Sequence, residues 1–277
     1  MTLSACGGGS APAPAAPAIP APPSPAPVTT LTGVVVDGYI RGATVFLDAN
    51  NNGILDAGEA SVTSDSTGRY SLALAATPVQ LNGAHLRATG GTDMSTGQPF
   101  THTMSAIVED AANKPFVPVT PLSTVIDGIV TSSPGTSIAQ ARDALARVIG
   151  VSSVSVLDKD PLTQVGSEPS LLQKMVSLQK AMEVLASADR NGAEKTSDGA
   201  PMVRVSSAMG AEIIRLAAAM APAQAGVPAV LPSVAAIVSG AVGTGAKFFA
   251  SQTNVRASVA SAWQTARLSR RGCSSTH

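Results

Sequence analysis

The chain has 277 residues, with 13% charged and 3% aromatic side chains, and its 18 basic and 18 acidic residues give a formal net charge of zero. That balance carries no electrostatic footprint for nucleic acid or for a strongly charged partner. Two cysteines, Cys6 and Cys273, and three histidines, His85, His102 and His277, exclude a disulfide scaffold, a Cys/His zinc site and an iron–sulfur site.

Near its start the chain reads Leu3-Ser4-Ala5-Cys6, followed by Gly7-Gly8-Gly9-Ser10. Small residues just ahead of a cysteine, then a glycine run, resemble the lipobox of bacterial lipoproteins. The resemblance implies that the Cys6 sulfur carries diacylglycerol, that a dedicated peptidase cuts before it, and that the new amine is acylated. Two or three acyl chains are enough for stable anchoring. The lipid bilayer is then a partner, and the expected address is the bacterial cell envelope, at the outer membrane. A leader for that route has a basic start and an apolar stretch of roughly 7–15 residues. Residues 1–6 are therefore expected to be the remnant of a signal peptide that starts upstream of Met1.

Residues 7–28 read as a linker. Eight of the eighteen residues from 11 to 28 are proline and none is charged. Such a run forms neither a helix interior nor a sheet ladder and is expected as a polyproline-II spacer. At ~3.1 Å per residue it would reach about 70 Å from a membrane.

From Thr29 the composition changes. Leu31-Thr32-Gly33-Val34-Val35-Val36 reads as a strand, Asp37-Gly38 as a tight turn and Ala43-Thr44-Val45-Phe46-Leu47 as the next strand. Gly68 to Leu74 alternates, with Tyr70, Leu72 and Leu74 on one face. Further strands are expected over Ala84 to Thr89 and Phe100 to Val108, with Gly90-Gly91 as a turn. Short strands with frequent turn signals predict a small β-sandwich over residues 29–110.

Between two of these strands lies Asp48-Ala49-Asn50-Asn51-Asn52-Gly53-Ile54-Leu55-Asp56-Ala57-Gly58-Glu59. It fills a twelve-residue calcium-loop pattern. Asp48, Asn50 and Asn52 stand at the first, third and fifth positions, and Gly53 stands at the sharp turn. Ile54 offers its carbonyl, Asp56 acts directly or through water, and Glu59 closes the set with two oxygens. Hard Ca²⁺ takes six to eight oxygen ligands, and an affinity in the extracellular range of about 10⁻⁴–10⁻³ M is expected. Asn51, at the fourth position between two ligand positions, is expected to point away from the ion and to be replaceable. The flanks are strand-like, so the loop is expected to join two strands rather than two helices.

Val34 to Leu74 as a whole, ending in Thr67-Gly68-Arg69-Tyr70, resembles the B-type repeats of bacterial surface adhesins and their carboxypeptidase-regulatory-like relatives. The resemblance covers about forty residues and implies a supporting module rather than a catalyst, with Tyr70 in its core. The Lys–Asn crosslink of some such modules is not supported, since the first lysine is Lys114.

Thr120-Pro121 reads as a helix opening, and residues 118–266 as a helical domain. Ser137 reads as an N-cap and Gly150 as a stop. Leu171, Met175, Leu178, Met182 and Leu185 form one stripe, and Met202, Val205, Met209, Ile213, Leu216 and Met220 another, as in packed amphipathic helices. The uncharged stretch Leu216 to Ala246 is broken by Pro222, Pro228 and Pro232 and is expected to be a buried helix rather than a membrane span. Residues 267–277 are expected to be a disordered tail. The expected fold class is α+β by segregated domains, an N-terminal β-sandwich followed by an all-α bundle. No catalytic motif is present, and His85 and His102 are each expected to be a surface residue or a satisfied core residue. The expectation is a non-enzymatic envelope lipoprotein with a structural or adhesive role toward a protein or glycan. The alternative is a periplasmic ligand-binding or accessory protein with a pocket between its domains.

Overall fold

A computed structural model describes residues 27–192, 200–220 and 231–244. Cys6, nearly all of the proline spacer and residues 267–277 lie outside the described residues.

The first half is built from eight short strands. β1 (Thr29–Val34) pairs antiparallel with β5 (Arg69–Leu74). In β5 the residues alternate exposed and buried, and Tyr70, Leu72 and Leu74 face inward, the period-two pattern of a half-buried strand. A four-stranded antiparallel sheet has the order β4 (Ser61–Thr63), β3 (Thr44–Asp48), β6 (His85–Thr89), β8 (Thr103–Ile107). A third pair joins β2 (Ile40–Arg41) to β7 (Thr92–Asp93). One helical turn, α1 (Pro78–Leu81), lies between β5 and β6.

The free edge of β1 is taken by the segment leading into the helices. Val117 N–H donates to Thr32 O at 2.7 Å, and Val36 N–H to Val119 O at 3.0 Å. The buried Tyr70 hydroxyl donates to Val117 O at 2.5 Å across the same seam. Gly33 is needed there, since a Cβ would meet Val117 O at 2.1 Å and the Tyr70 ring at 2.6 Å. Burial pushes the Tyr70 phenol well above its usual range, so it stays a donor.

The helices follow in order. α2 is Pro121–Ser132, α3 Ile138–Ile149, α4 Leu171–Gly192, α5 Ala200–Ala219 and α6 Val234–Thr244, with two 3₁₀ turns between α3 and α4. Thr120 caps α2 reciprocally with Ser123. Ser137 and Gln140 form a capping box on α3, which ends at Gly150 in the left-handed conformation, φ 64°. α2 crosses α5 at two glycines. A Cβ on Gly128 would meet Ser206 O at 2.1 Å, and one on Gly210 would meet Ile129 N at 2.5 Å. Met175, Leu178, Met182, Leu185, Met209 and Ile213 are buried as their stripes require, and Ile237, Val238, Ala241 and Val242 bury one side of α6. Among the described residues no helix is long and apolar enough to cross a membrane.

The protein is thus mixed α/β, with helices and several small antiparallel sheets. Packing departs from the expected segregation. α2 packs on β8, and one apolar cluster runs from Val34, Val36 and Ile107 into all five long helices. A second cluster holds Leu31, Val35, Leu72, Leu86 and Val119. Successive residues of the 34–36 segment therefore feed opposite cores, and the strands do not close on one another as two facing sheets. The physical reason is exposure: β8 is an edge strand, and covering it with α2 buries apolar area that a second sheet would otherwise have to cover.

Candidate metal centre

The loop from Asp48 to Glu59 leaves β3 and returns in β4. The preceding residues Val45 and Phe46 are buried, so the strand ends on a fixed footing and Asp48 starts the loop from within the protein, 1% exposed. Its Oδ1 accepts from Asn52 N–H at 3.1 Å and its Oδ2 from Gly53 N–H at 2.9 Å. Gly53 adopts φ 84°, which only glycine takes readily.

The other candidate ligands gather around this start. Asn50 Oδ1 accepts from Asn52 N–H at 3.1 Å, and Asn52 Oδ1 from Ile54 N–H at 2.9 Å. The side-chain amides of Asn50 and Asn52 both donate to one oxygen, Asp56 Oδ2, at 2.7 and 2.8 Å. Glu59 closes the loop, with Oε1 accepting from Ala49 N–H at 2.8 Å and Oε2 from Asp56 N–H at 3.0 Å. Asp48, Asn50, Asn52, Asp56 and Glu59 are thus tied into one loop, while the Ile54 side chain is exposed.

The donor set is all oxygen, which suits a hard cation. The three carboxylates do not meet at one point, however. Each is committed to N–H donors, and among the described residues no three His, Cys, Asp or Glu side chains form a ready metal cage. A cation held here would take oxygens now accepting from backbone and amide N–H groups.

Three residues that sequence reasoning left out of the site stand behind Asp48. Arg87, on β6, is 3% exposed. Its Nε donates to Asp48 Oδ2 at 2.9 Å and its Nη1 to Asp127 Oδ2 at 3.0 Å, while Nη2 donates to Asn51 Oδ1. Asp127, on α2, also pairs with His85 Nδ1 at 2.7 Å. Burial pushes the Asp127 carboxyl up, but the His85 hydrogen bond and the Arg87 charge outweigh it and hold the group below its ordinary value. His85 is satisfied, as expected. Asn51 is not idle: it adopts φ 56° and accepts from Arg87. Two sequence signals point this way. Arg87 alternates with Leu86 and Ala88, and Asp127 is the single charged residue of α2.

Elsewhere, a small cavity of about 40 Å³ lies between β8, the segment 109–118, α2 and α3. Glu109, Lys114, Arg142 and Asp158 line its polar side. Glu109 pairs with Lys114 at 3.0 Å and with Arg142, which also reaches Asp158 at 2.8 Å. Burial pushes the Asp158 carboxyl up, and the neighbouring Arg142 offsets this only in part.

No protein-family model, curated protein or solved structure matches this chain.

Proposed function

We propose that this chain is a cell-envelope lipoprotein, anchored through acylated Cys6 and lifted from the bilayer by the proline spacer. It presents a calcium-stabilised β module, residues 29–110, followed by a helical domain, residues 118–266. Its role is structural or adhesive binding of a protein or glycan rather than catalysis. The module belongs with the adhesin B-type and carboxypeptidase-regulatory-like repeats that its sequence resembles. One observation carries the reading: the diagnostic positions of the twelve-residue loop are drawn together, with Asn50 and Asn52 on the same Asp56 oxygen and Asp48 closing on the N–H groups of Asn52 and Gly53. In this reading Ca²⁺ replaces those N–H partners and offsets the repulsion among Asp48, Asp56 and Glu59.

Titration of the 277-residue chain with CaCl₂ tests it. Calcium at a hundred times its dissociation constant adds about 2.7 kcal/mol of stability, and Glu59→Gln removes most of that gain. No heat and no thermal shift at millimolar Ca²⁺ would reduce the loop to a polar turn. The anchor is tested separately: Cys6→Ala in the precursor should move the protein out of the membrane fraction.

A second reading, a periplasmic ligand-binding or accessory protein, is supported by the small charged cavity between β8 and the helices α2 and α3.

A further inference from the structure

The Asp48–Arg87–Asp127 contact joins the loop to the helical part of the molecule through side chains that see almost no water. Asp48, Arg87 and Asp127 are 1%, 3% and 2% exposed. The three elements they stand on, β3, β6 and α2, are distant in sequence, with the bonded partners 39 and 40 positions apart. The guanidinium is planar, and its three nitrogens each take a different partner: Asp48, Asp127 and Asn51. One cation therefore serves two buried carboxylates and the fourth position of the loop.

We infer that Arg87 is the resident counter-charge of the Asp48–Glu59 loop, and that it is the joint through which a cation in the loop acts on helix α2. The inference rests on the calcium reading above. Arg87 holds Asp48 Oδ2 beside the Gly53 N–H, so the first position of the loop is kept in place and neutralised without a metal. An incoming cation meets a carboxylate that already has a positive partner, and the two positive charges oppose each other across it. Arg87 thus weakens cation binding relative to the same ligands without it.

The second consequence follows from sharing. A cation that draws on Asp48 loosens its bond to Arg87 and leaves the guanidinium more fully to Asp127. Asp127 lies in the turn of α2 that holds Gly128, where the backbone touches Ser206 of α5. The coupling is reciprocal: whatever fixes Arg87 on Asp127 makes Asp48 a better ligand. His85 pairs with the other oxygen of Asp127, and the Thr131 hydroxyl lies 3.4 Å from that oxygen.

The test uses the full chain as wild type, as Arg87→Met and as Arg87→Met/Asp127→Asn. The double variant removes one of the two carboxylates that the single variant orphans, so it guards against simple loss of folding. Each protein is titrated with CaCl₂ and, as a control, MgCl₂. Hydrogen exchange is followed over Pro121–Ser132 with and without Ca²⁺. The expected results are a dissociation constant tighter by roughly tenfold in the variants, a larger calcium-induced rise in melting temperature, and an α2 exchange response in wild type that disappears in the double variant. Heat in the variants with none in wild type would support the inference in its strongest form. Equal affinities in all three proteins, or an α2 indifferent to Ca²⁺ in wild type, would overturn it while leaving the calcium site standing. No heat in any of the three would overturn the calcium reading and the inference together. If neither variant folds, the wild-type exchange response decides alone.

Discussion

Two polar junctions lie between the strands and the helices, and their aspartates shift in opposite ways. At the first, Asp127 of α2 meets Arg87 and His85. At the second, Asp37 in the turn after β1 lies near Asp93 and the α4 side chains Lys180 and Glu183. There Lys180, 66% exposed, is held by Glu183 at 2.7 Å, and Gln179 also donates to Glu183. Burial, then the charge on Glu183, push the Asp37 carboxyl up to about 7, with Lys180 opposing and Asp93 adding to the rise. Asp127 is more deeply buried yet shifted downward. Depth does not decide the sign. What decides it is whether a cation lies within hydrogen-bonding reach. The first junction is a paired one that holds best when ionised, and the second is an acid-rich one that holds best when protonated.

The largest expected effect breaks the paired junction. Asp127→Leu leaves the buried Arg87 with Asp48 as its single carboxylate and removes the partner of His85. Breaking a buried ion pair from one side costs about 3–5 kcal/mol, and chemical denaturation at pH 7 reads it. A loss below about 1 kcal/mol would place this junction with ordinary surface pairs and erase the contrast with Asp37.

The contrast has a pH signature. Asp127 has a depressed value in the fold, so its contribution is present above the unfolded value of 3.8 and is lost as pH falls below it. Asp37 has a raised value, so its cost is absent below 3.8, grows as pH rises, and is complete above about 7. Asp37→Asn removes that cost. The variant should be more stable than wild type at pH 8 by on the order of 2 kcal/mol, once solvent screening is allowed for, and no more stable at pH 4. Thermal melts at the two values check this, and an equal gain at both would mean that charge is not its source.

How much of this was legible beforehand follows the same division between local and distant partners. The caps of α3 could be read at Ser137 and Gly150, because a cap bonds within its own turn. The buried stripes of α4 and α5 could be read from spacing, because one face of a helix is set by its own period. The inward alternation of Tyr70, Leu72 and Leu74 and the boundaries of the loop were local in the same sense. The pairing of β1 with both β5 and the 115–119 segment was not, since a strand of that composition accepts many neighbours. Nor was the Arg87 network, whose bonded residues lie about forty positions apart. Arg87 is a charge in a strand and Asp127 a lone charge in a helix, but neither feature names the other residue as its partner.

The smallest expected effect sharpens the paired junction from the loop side. Asn51 contributes two separable things: a left-handed backbone, φ 56°, and a side-chain oxygen that accepts from Arg87 Nη2. Asn51→Gly keeps the first and removes the second. It should cost about 1 kcal/mol, the usual net worth of one hydrogen bond. Asn51→Ala removes both and should cost about 1 kcal/mol more, since an alanine resists the left-handed region. Paired denaturation curves separate the two. If glycine is as stable as wild type, Arg87 needs only its two carboxylates and the loop's fourth position adds nothing to the junction. If glycine and alanine lose the same amount, the backbone at 51 is not strained and the hydrogen bond alone accounts for asparagine there.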